Sequence, residues 1–463
     1  MILPYLLFIP AALASSPEVV CFQLRLSFPD KISYPGSNVY ELEQQQYWSV
    51  QSILQRPACI FHPTNAEETS KAISLFVSSG VHFAVKSGGH NANAAFASTA
   101  GGILIALSSM NKVKYDGKNA IIGPGGRWGD VVSKLEYNNV TVLSGRIGGL
   151  SFLSPQYGLA MDDVLNYEVV LANGTIVNAN KYENPELFFG MKGGGNQLGI
   201  ITEFTMVTHP IGLVYGGFII YNGSKHPEIL SALNSFVSNQ DSNAAIITTF
   251  SIQKGEELPE STSCFFMYDG TDPGNAFDSF VAIESVVSNM AIMKYSDLLN
   301  LNSQITKHEG VNWAVRTAAY RPSKSLFQET YKMWMENSLL VNSLPNVTLS
   351  LCYQLLPKSI SRGEDSSVMS LPNEDLVWLE LVNSWLLEKD RVVVLENLKA
   401  TENDVERYKS EHNENKGYLP MYVNDAWADQ EILSRLSGFQ RLKRAKEMYD
   451  PNRIWDRTGG FKV

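Results

Sequence analysis

The segment with the clearest chemical potential is Val85-Lys-Ser-Gly-Gly-His-Asn91, in which an apolar strand runs into two adjacent glycines and then a histidine. Adjacent glycines let backbone N–H groups approach an anion such as a pyrophosphate, because no Cβ stands in the way. The histidine then follows at a fixed place beside that anion. Taken alone, the segment is equally well interpreted as a glycine turn followed by a surface histidine.

Three further segments rich in glycine or turn residues follow in order: Gly123-Pro-Gly-Gly-Arg-Trp-Gly-Asp130, Leu153-Ser-Pro-Gln-Tyr-Gly158 and Lys192-Gly-Gly-Gly-Asn-Gln-Leu-Gly-Ile-Ile201. The first echoes a Rossmann dinucleotide loop. We reject that interpretation because Pro124 interrupts the turn, no G-x-G-x-x-G is completed, and no acidic residue ends a second parallel strand. Gly193 to Gly195 have an alternative role as the left-handed stop of a helix over 185–191.

As an ordered set, these four segments resemble the FAD-linked oxidases of the berberine-bridge-enzyme-like group, within the vanillyl-alcohol-oxidase superfamily, and most closely its secreted fungal members. The resemblance extends from Tyr34-Pro-Gly36 to Tyr449-Asp-Pro451. It implies FAD as the cofactor, with a ring nitrogen of His90 bonded to the flavin 8α-methyl carbon. It further implies a set of residues around the cofactor: Lys86, Ser87, Gly88, Gly89 and Asn91 near the pyrophosphate, and Gly125, Gly126, Asp130, Gly194, Gly195, Asn196, Gly199, Ile200 and Asn424.

The loop around Gly148-Gly149 departs from the family pattern in two ways. Some members bind flavin a second time through a cysteine that would lie near Ile147, and this chain has none there, so we expect a single covalent bond. Members usually continue with a further glycine run, whereas this chain passes directly to Leu150. The shortened loop leaves open an alternative function, a secreted but catalytically silent protein of the same fold with impaired flavin binding.

The resemblance implies an oxidase that passes hydride from an alcohol, a sugar or a secondary metabolite to flavin N5 and then electrons to O2, giving H2O2. Tyr422-Val-Asn424 resembles the family's C-terminal Tyr-x-Asn, although Asp425 stands where an aromatic residue is common. Tyr422 is our candidate base, provided that its pKa is lowered from ~10; a packed tyrosine is the alternative. Glu380, on a strand of unknown facing, and His412, in a polar run, are weaker candidates.

Helix and strand signals predict an α+β fold with two lobes. We divide the chain into a signal peptide (1–14), an N-terminal segment (15–56), a PCMH-type FAD-binding domain (57–212), an antiparallel-sheet substrate domain with covering helices (213–410) and a C-terminal return to the FAD-binding domain (411–463). The sharpest local predictions are a capping box of Thr64 with Glu67, a hairpin at Asn173-Gly174, and a long helix over 431–448.

Composition supports a globular protein that acts on a small molecule. The 463 residues are 44% hydrophobic and 18% charged, which disfavours disorder, and no apolar run beyond the N-terminus could span a membrane. The formal charge of -10 argues against a nucleic-acid partner. The histidines do not suggest a metal site. We expect a monomer whose partners are its substrate and O2.

The N-terminus predicts secretion. Residues 1–14 are apolar and end in Ala12-Leu13-Ala14, a signal-peptidase pattern, so the mature chain would begin at Ser15. Candidate glycan sites fit that compartment: Asn139, Asn173, Asn222 and Asn346. In an oxidising compartment we favour a disulfide between Cys21 and Cys59, with Cys264 and Cys352 as buried thiols rather than a second bridge.

Overall fold

The computed structural model describes residues 15–145, 150–237, 241–253, 260–305, 310–363, 365–414 and 416–463. The predicted signal peptide therefore lies outside the described residues. In the ranges given, no helix combines the length and the apolar character needed to cross a bilayer.

The first lobe contains eleven described strands in three sheets. They are β1 (Ile32–Ser33), β2 (Cys59–Phe61), β3 (Phe83–Lys86), β4 (Ile103–Ala106), β5 (Val113–Tyr115), β6 (Asn119–Ile122), β7 (Val140–Thr141), β8 (Val164–Val170), β9 (Ile176–Asn180), β10 (Ile200–Val207) and β11 (His209–Pro210). One sheet has the order β1-β2-β4-β3, with β2, β4 and β3 parallel. An antiparallel sheet has the order β5-β6-β10-β8-β9, and β7 pairs with β11.

Seven α-helices accompany these strands: α1 (Pro17–Ser27), α2 (Asn38–Gln44), α3 (Val50–Ile53), α4 (Ala66–Ser79), α5 (Trp128–Glu136), α6 (Ser154–Tyr157) and α7 (Pro185–Met191). The predicted capping box of α4 is wrong by one residue. Asn65 is the N-cap and accepts from the Glu68 N–H at 2.9 Å, because an Asx side chain caps at least as well as threonine. Gly80 ends the helix in the left-handed conformation, as predicted.

The strands on either side of the shortened loop keep their places in one sheet. Phe204 of β10 pairs with Ile122 of β6 on one side and with Tyr167 of β8 on the other. The hairpin at Asn173-Gly174 joins β8 to β9, as predicted, and Gly174 has a φ of 80°. The apolar pattern of these strands is therefore sufficient to set their pairing.

The second lobe is built on a seven-stranded antiparallel sheet. Its strands are β12 (Leu213–Asn222), β13 (Ala244–Gln253), β14 (Glu260–Tyr268), β15 (Val287–Lys294), β16 (Asn312–Tyr320), β17 (Val347–Leu356) and β18 (Leu376–Trp385). Their order is β15-β12-β14-β13-β17-β18-β16. The accompanying helices are α8 (His226–Val237), α9 (Asp278–Val281), α10 (Tyr295–Ile305), α11 (Lys324–Asn337) and α12 (Arg391–Glu411).

Side chains alternate across β18 and so divide the two faces of this sheet. Leu379 and Leu381 belong to the core beneath α8, α11 and α12. Leu376 and Trp378 belong to a core shared with strands of the first lobe. Glu380 shares the second alternation, so it belongs to the face that the first lobe covers.

The C-terminal segment returns to the first lobe through α13 (Phe439–Tyr449), which packs against α7. The predicted long helix over 431–448 is wrong in extent. Residues Leu433–Arg435 form a separate 3-10 turn, and α13 begins only after Gly438. A Cβ at Gly438 would lie 2.6 Å from the Val368 Cα, so a close chain crossing fixes the start of the helix.

The cysteines follow the predicted pairing. Cys21 of α1 is bonded to Cys59 of β2 across 38 residues. Cys264 and Cys352 lie buried as thiols. The four candidate glycan asparagines, Asn139, Asn173, Asn222 and Asn346, are all exposed.

Candidate functional site

The loop after β3 begins with a lysine that is turned into the protein. Lys86 is fully buried, and its Nζ donates to the Glu43 carboxylate at 2.7 Å and to the Glu43 carbonyl at 2.7 Å. It also lies 4.4 Å from the centre of the Tyr47 ring. The ammonium is therefore bound by Glu43 of α2. Lys86 would contribute only its backbone to a cofactor loop.

Burial lowers the pKa of Lys86, against the pull of Glu43. Burial also acts to raise the pKa of Glu43, but the Lys86 charge and hydrogen bonds from Lys86 and Ser108 outweigh it and hold that pKa below its ordinary value. The lowered pKa of Lys86 disfavours its charged ammonium, whereas the lowered pKa of Glu43 favours its charged carboxylate. The cost of burying both charges offsets most of their attraction, so the intact pair contributes little net stability and its disruption is costly.

The next three residues form a tight turn. The Ser87 hydroxyl donates to the Pro124 carbonyl, and Arg127 Nη1 donates to the Gly88 carbonyl at 2.8 Å, so both join this loop to the second glycine segment. Gly89 has a φ of 68°, and a Cβ there would lie 2.7 Å from the Gln46 carbonyl oxygen. Glycine at 89 is therefore required by the conformation and by its neighbours.

His90 lies at the end of this turn, against an aromatic side chain that sequence reasoning missed. Its ring stacks on Trp48, with centroids 4.8 Å apart and planes 10° apart. The ring is accessible to solvent, yet desolvation by the surrounding protein, reinforced by the Arg127 charge, lowers the pKa of His90. Both effects favour the neutral imidazole, which is the nucleophilic form.

The second glycine segment supports the site more than it lines it. A Cβ at Gly125 would lie 2.0 Å from the Leu107 carbonyl oxygen, so that glycine is needed for a chain crossing. The Gly126 N–H closes a turn on the Gly123 carbonyl at 3.1 Å. Asp130 is exposed in the first turn of α5. Of this segment, only Pro124 is among the residues that line the cavity.

In the segment from Lys192 to Ile201, some glycines serve packing and others line the cavity. A Cβ at Gly194 would lie 2.2 Å from the Gly190 carbonyl oxygen, so Gly194 serves packing. Gly195 has a φ of 69° and nothing within 4 Å of its Cβ position, so it leaves open space in the cavity. Asn196 donates to the Gly459 carbonyl near the C-terminus. Gly199 also lines the cavity.

A cavity of about 390 Å³ lies between the His90 loop, the segment from Lys192 to Ile201 and the C-terminal return. Its polar lining includes Ser87, Asn91, Asn196, Asn424 and Thr458, and its apolar lining includes Val85, Leu107, Ile200, Phe204 and Trp455. Apolar walls with a few amides and hydroxyls, an opening at Gly195 and a neutral imidazole nearby fit a dinucleotide with a flat ring system. FAD therefore fits the residues present.

The C-terminal return brings Tyr422 and Asn424 to the sheet of the second lobe. Tyr422 is 2% exposed and stacks on Trp378 of β18, with centroids 4.4 Å apart. Its hydroxyl accepts from Asn424 Nδ2 at 3.3 Å. Tyr422 is therefore a well-packed tyrosine in contact with a residue of the cavity wall.

Beside Tyr422 lies a carboxyl pair that the sequence did not reveal. Asp425 is hydrogen-bonded to Glu380 of β18, and Gln354 Nε2 donates to the other side of Glu380 at 3.1 Å. Burial, and then the Glu380 charge and hydrogen bond, raise the pKa of Asp425 well above its ordinary value. A double negative charge on two carboxyls in contact is unfavourable, so the contact favours one proton shared between them.

Asn93 ties the His90 loop to the segment that carries the carboxyl pair. Asn93 Nδ2 donates to the Ala426 carbonyl at 2.9 Å, and its Oδ1 accepts from the Ala428 N–H at 2.8 Å. The structure thus joins the loop of His90, the cavity wall and the carboxyl pair in one region. The sequence named Glu380 as a weaker candidate base and showed Asp425 in place of an aromatic residue, but it did not predict their contact.

The remaining sequence predictions concern His412, the shortened loop and a metal site. His412 is exposed at the C-cap of α12, stacks on Tyr408, and is not among the residues that line the cavity. The shortened loop around Ile147, Gly148 and Gly149 lies outside the described residues, so its effect on flavin binding remains a prediction. In the described part of the chain, no group of three or more His, Cys, Asp or Glu side chains is arranged to hold a metal ion.

Comparison with known proteins supports FAD as the cofactor. The family model of an FAD binding domain matches residues 57–180. An uncharacterized FAD-linked oxidoreductase of Arthroderma benhamiae is 32% identical over 94% of this chain and 92% of its own length. An FAD-dependent monooxygenase of Arthrobotrys oligospora is 30% identical over 96% of this chain and 89% of its own length.

Solved structures show the same fold. Berberine bridge enzyme from Eschscholzia californica superposes with a TM-score of 0.79 and 17% identity, over 96% of this chain and all of that one. The 6-hydroxy-D-nicotine oxidase of Arthrobacter nicotinovorans gives a TM-score of 0.76 and 20% identity, over 93% and 97% of the two chains. At these identities the similarity is one of architecture, and it agrees with the predicted two-lobed α+β fold.

Proposed function

The chain belongs to the berberine-bridge-enzyme-like FAD-linked oxidoreductases, and from that premise we propose that it is a secreted oxidase holding FAD covalently through His90. The observation that carries the proposal is the position of His90, which is solvent-accessible, stacks on Trp48, and directly precedes Asn91 of the cavity lining.

The residues around the cavity would hold the cofactor in distinct ways. The backbone of the Ser87 to Gly89 turn would face the pyrophosphate, and Asn91, Asn196 and Asn424 offer amide groups to the remaining polar edges. When bound, FAD supplies a two-electron acceptor that takes hydride from a substrate C–H and returns the electrons to O2 as H2O2.

The protein must also accept the proton of the substrate O–H or N–H. We assign this role to the Glu380–Asp425 pair, because a pair with one proton and one negative charge can take a second proton. Asp425 is the more accessible member, and Glu380 is 3% exposed. Tyr422 remains the second candidate, but its burial and its stacking on Trp378 favour a supporting role.

The proposed compartment is extracellular. The Cys21–Cys59 bond supports an oxidising environment, and the exposure of all four sequon asparagines is compatible with glycans there. The substrate would be an alcohol, a sugar or a secondary metabolite, and we propose that the enzyme acts as a monomer. Relatives named as monooxygenases make the fate of O2 an essential measurement.

The test is to purify the secreted protein, record its visible spectrum, and precipitate it with acid. We expect a yellow protein whose colour stays with the precipitate, and His90→Ala should lose that acid-stable colour. His412→Ala is the matched control, since that histidine is exposed and is not among the residues that line the cavity. A colourless wild type would support the silent-protein alternative, and colour fully released by acid would refute the covalent bond.

The same preparation tests the reaction class. A panel of alcohols, sugars and aromatic metabolites is mixed with the protein under air, and flavin bleaching, O2 uptake and H2O2 are followed together. One H2O2 per O2 consumed is expected of an oxidase. Oxygen incorporated into the product, with little H2O2, would instead assign a monooxygenase.

A further inference from the structure

His90 belongs to a stack of three rings that crosses from one lobe to the other. Trp48 stacks on His90 at 4.8 Å on one side and on Trp313 of β16 at 4.5 Å, with planes 18° apart, on the other. Trp313 is 7% exposed, whereas Trp48 is only partly buried. The imidazole therefore lies flat against a ring that is itself supported from the second lobe.

Hydrogen bonds connect Trp48 to the His90 turn, and the residues after it to Trp313 and Val311. The Trp48 N–H donates to the Gly89 carbonyl at 3.0 Å, which sets its distance from the His90 turn. Gln51 Nε2 donates to the Trp313 carbonyl at 3.2 Å, and the Trp313 N–H donates to the Ser49 hydroxyl at 3.2 Å. The Val50 N–H donates to the Val311 carbonyl at 3.1 Å.

These bonds cover the open edge of the large sheet. β16 is its last strand, and an edge strand presents unpaired N–H and C=O groups. The segment after Trp48 occupies part of that edge, so the position of the indole is determined by the docking of the two lobes. Trp48 is thus part of the lobe interface as well as a neighbour of His90.

We propose that Trp48, supported by Trp313, is a positioning residue that fixes the plane of the His90 imidazole for covalent attachment of flavin. This inference rests on the proposed function. In the attachment, a bond forms between an imidazole nitrogen and the methyl carbon at position 8 of the flavin. The imidazole N–H proton and one methyl hydrogen are lost, and the two electrons pass to O2, giving H2O2.

The stack acts on this step through orientation. A histidine at the end of a glycine turn can rotate about both side-chain torsions, and only a narrow range of ring planes directs a nitrogen at a fixed carbon. A flat contact on one face removes most of those orientations. The ring is also partly desolvated there, which agrees with the lowered pKa of His90.

The test measures how fast flavin becomes acid-stable. Trp48→Leu and Trp48→Phe are produced with limited riboflavin, incubated with FAD under air, and sampled for acid-stable and for total flavin. A stacked pair contributes about 0.5–1.5 kcal/mol, so Trp48→Leu should slow covalent incorporation roughly two- to twelvefold while total flavin is retained. Trp48→Phe keeps a flat ring and should stay within about twofold of wild type.

Two further variants keep the test decisive. Trp427→Leu is the control, because that indole packs in the same cluster as Trp313 but does not stack on His90; it should incorporate flavin at the wild-type rate. Trp313→Leu leaves Trp48 in place and should slow incorporation less than Trp48→Leu does. If Trp48→Leu fails to fold, this variant carries the test, and a wild-type rate in it overturns the proposal.

The outcomes separate this inference from the proposed function. No acid-stable flavin in the wild type would refute the covalent bond and the positioning role together. Acid-stable flavin in the wild type, with an equal rate in Trp48→Leu, would refute the positioning role alone. Equal slowing in Trp48→Leu and Trp427→Leu would also refute it, because a general weakening of the lobe interface would then be the cause.

Discussion

Replacing Lys86 with methionine tests whether this residue supports the fold or binds the cofactor. Its side chain is fully buried, and its ammonium lies 2.7 Å from the Glu43 carboxylate. Methionine keeps the length of the chain and removes the charge. Glu43, itself 5% exposed, is then left as a buried carboxylate whose remaining close partners are the Ser108 hydroxyl and, at 3.9 Å, His62.

The expected loss of stability follows from the buried Glu43 charge, which no longer has the Lys86 ammonium beside it. Breaking a buried ion pair by removing one partner typically costs 3–5 kcal/mol, so Lys86→Met should lower the free energy of unfolding by about 4 kcal/mol. Removing both charges in Lys86→Met/Glu43→Gln should recover most of this loss, because an intact buried pair is nearly neutral overall. Lys71→Met, at an exposed position of α4, should stay within about 0.5 kcal/mol of wild type.

The sign of the pH dependence provides a second check. The pKa of Glu43 is lowered in the folded protein, so the stability it contributes is present above its unfolded pKa of about 4.3 and is lost as pH falls through the lower folded value. The double variant should lack this loss below pH 4.3.

Urea unfolding followed by tryptophan fluorescence, together with total flavin content, distinguishes the two roles. A structural Lys86 predicts an unstable single variant and a stable double variant that still binds flavin. A single variant as stable as Lys71→Met would show that Lys86 does not support the fold. A stable double variant that has lost its flavin would show that the ammonium serves the cofactor after all.

Three further predictions concern other parts of the molecule. Replacing Cys21 and Cys59 with serine should cost about 4 kcal/mol by the loop-entropy estimate for 38 residues, measured by urea unfolding; no loss would mean that the bond does not form. Arg127→Met removes a charge that lowers the pKa of His90, so that pKa should rise in an NMR titration of the flavin-free protein; an unchanged value would leave desolvation as the sole cause. Asp425→Asn abolishes proton sharing, so flavin reduction by substrate should slow and lose the acidic limb of its pH profile; an unchanged pH profile would remove the pair from the mechanism.

Local sequence patterns predicted the local parts of the fold well. The alternation of β10 and the turn at Asn173-Gly174 depend on neighbouring residues, and both are confirmed. The start of α13 was wrong because it depends on Gly438 crossing Val368, which is 70 residues away. The cap of α4 was wrong by one residue because Thr64 and Asn65 are both good caps and the sequence does not rank them.

The same distinction applies to the candidate site. The His90 turn could be found from its own residues, since adjacent glycines and a histidine are a local signal. Glu43 and Trp48 could not, because they lie some 40 residues earlier and meet the turn only through the docking of α2 and β16. The Glu380–Asp425 pair joins a strand of the second lobe to the C-terminal return, and periodicity alone does not give that contact.

Peptide mass spectrometry can detect the proposed bond between flavin and His90. Trypsin should release residues 87–112, between Lys86 and Lys112, and His90 is the only histidine in that peptide. We predict that in protein purified from the medium this peptide carries the mass of FAD less two hydrogens, and that fragmentation localises the mass to His90. An unmodified peptide from a preparation that contains flavin, or flavin on a different peptide, would rule out a flavin bond at His90.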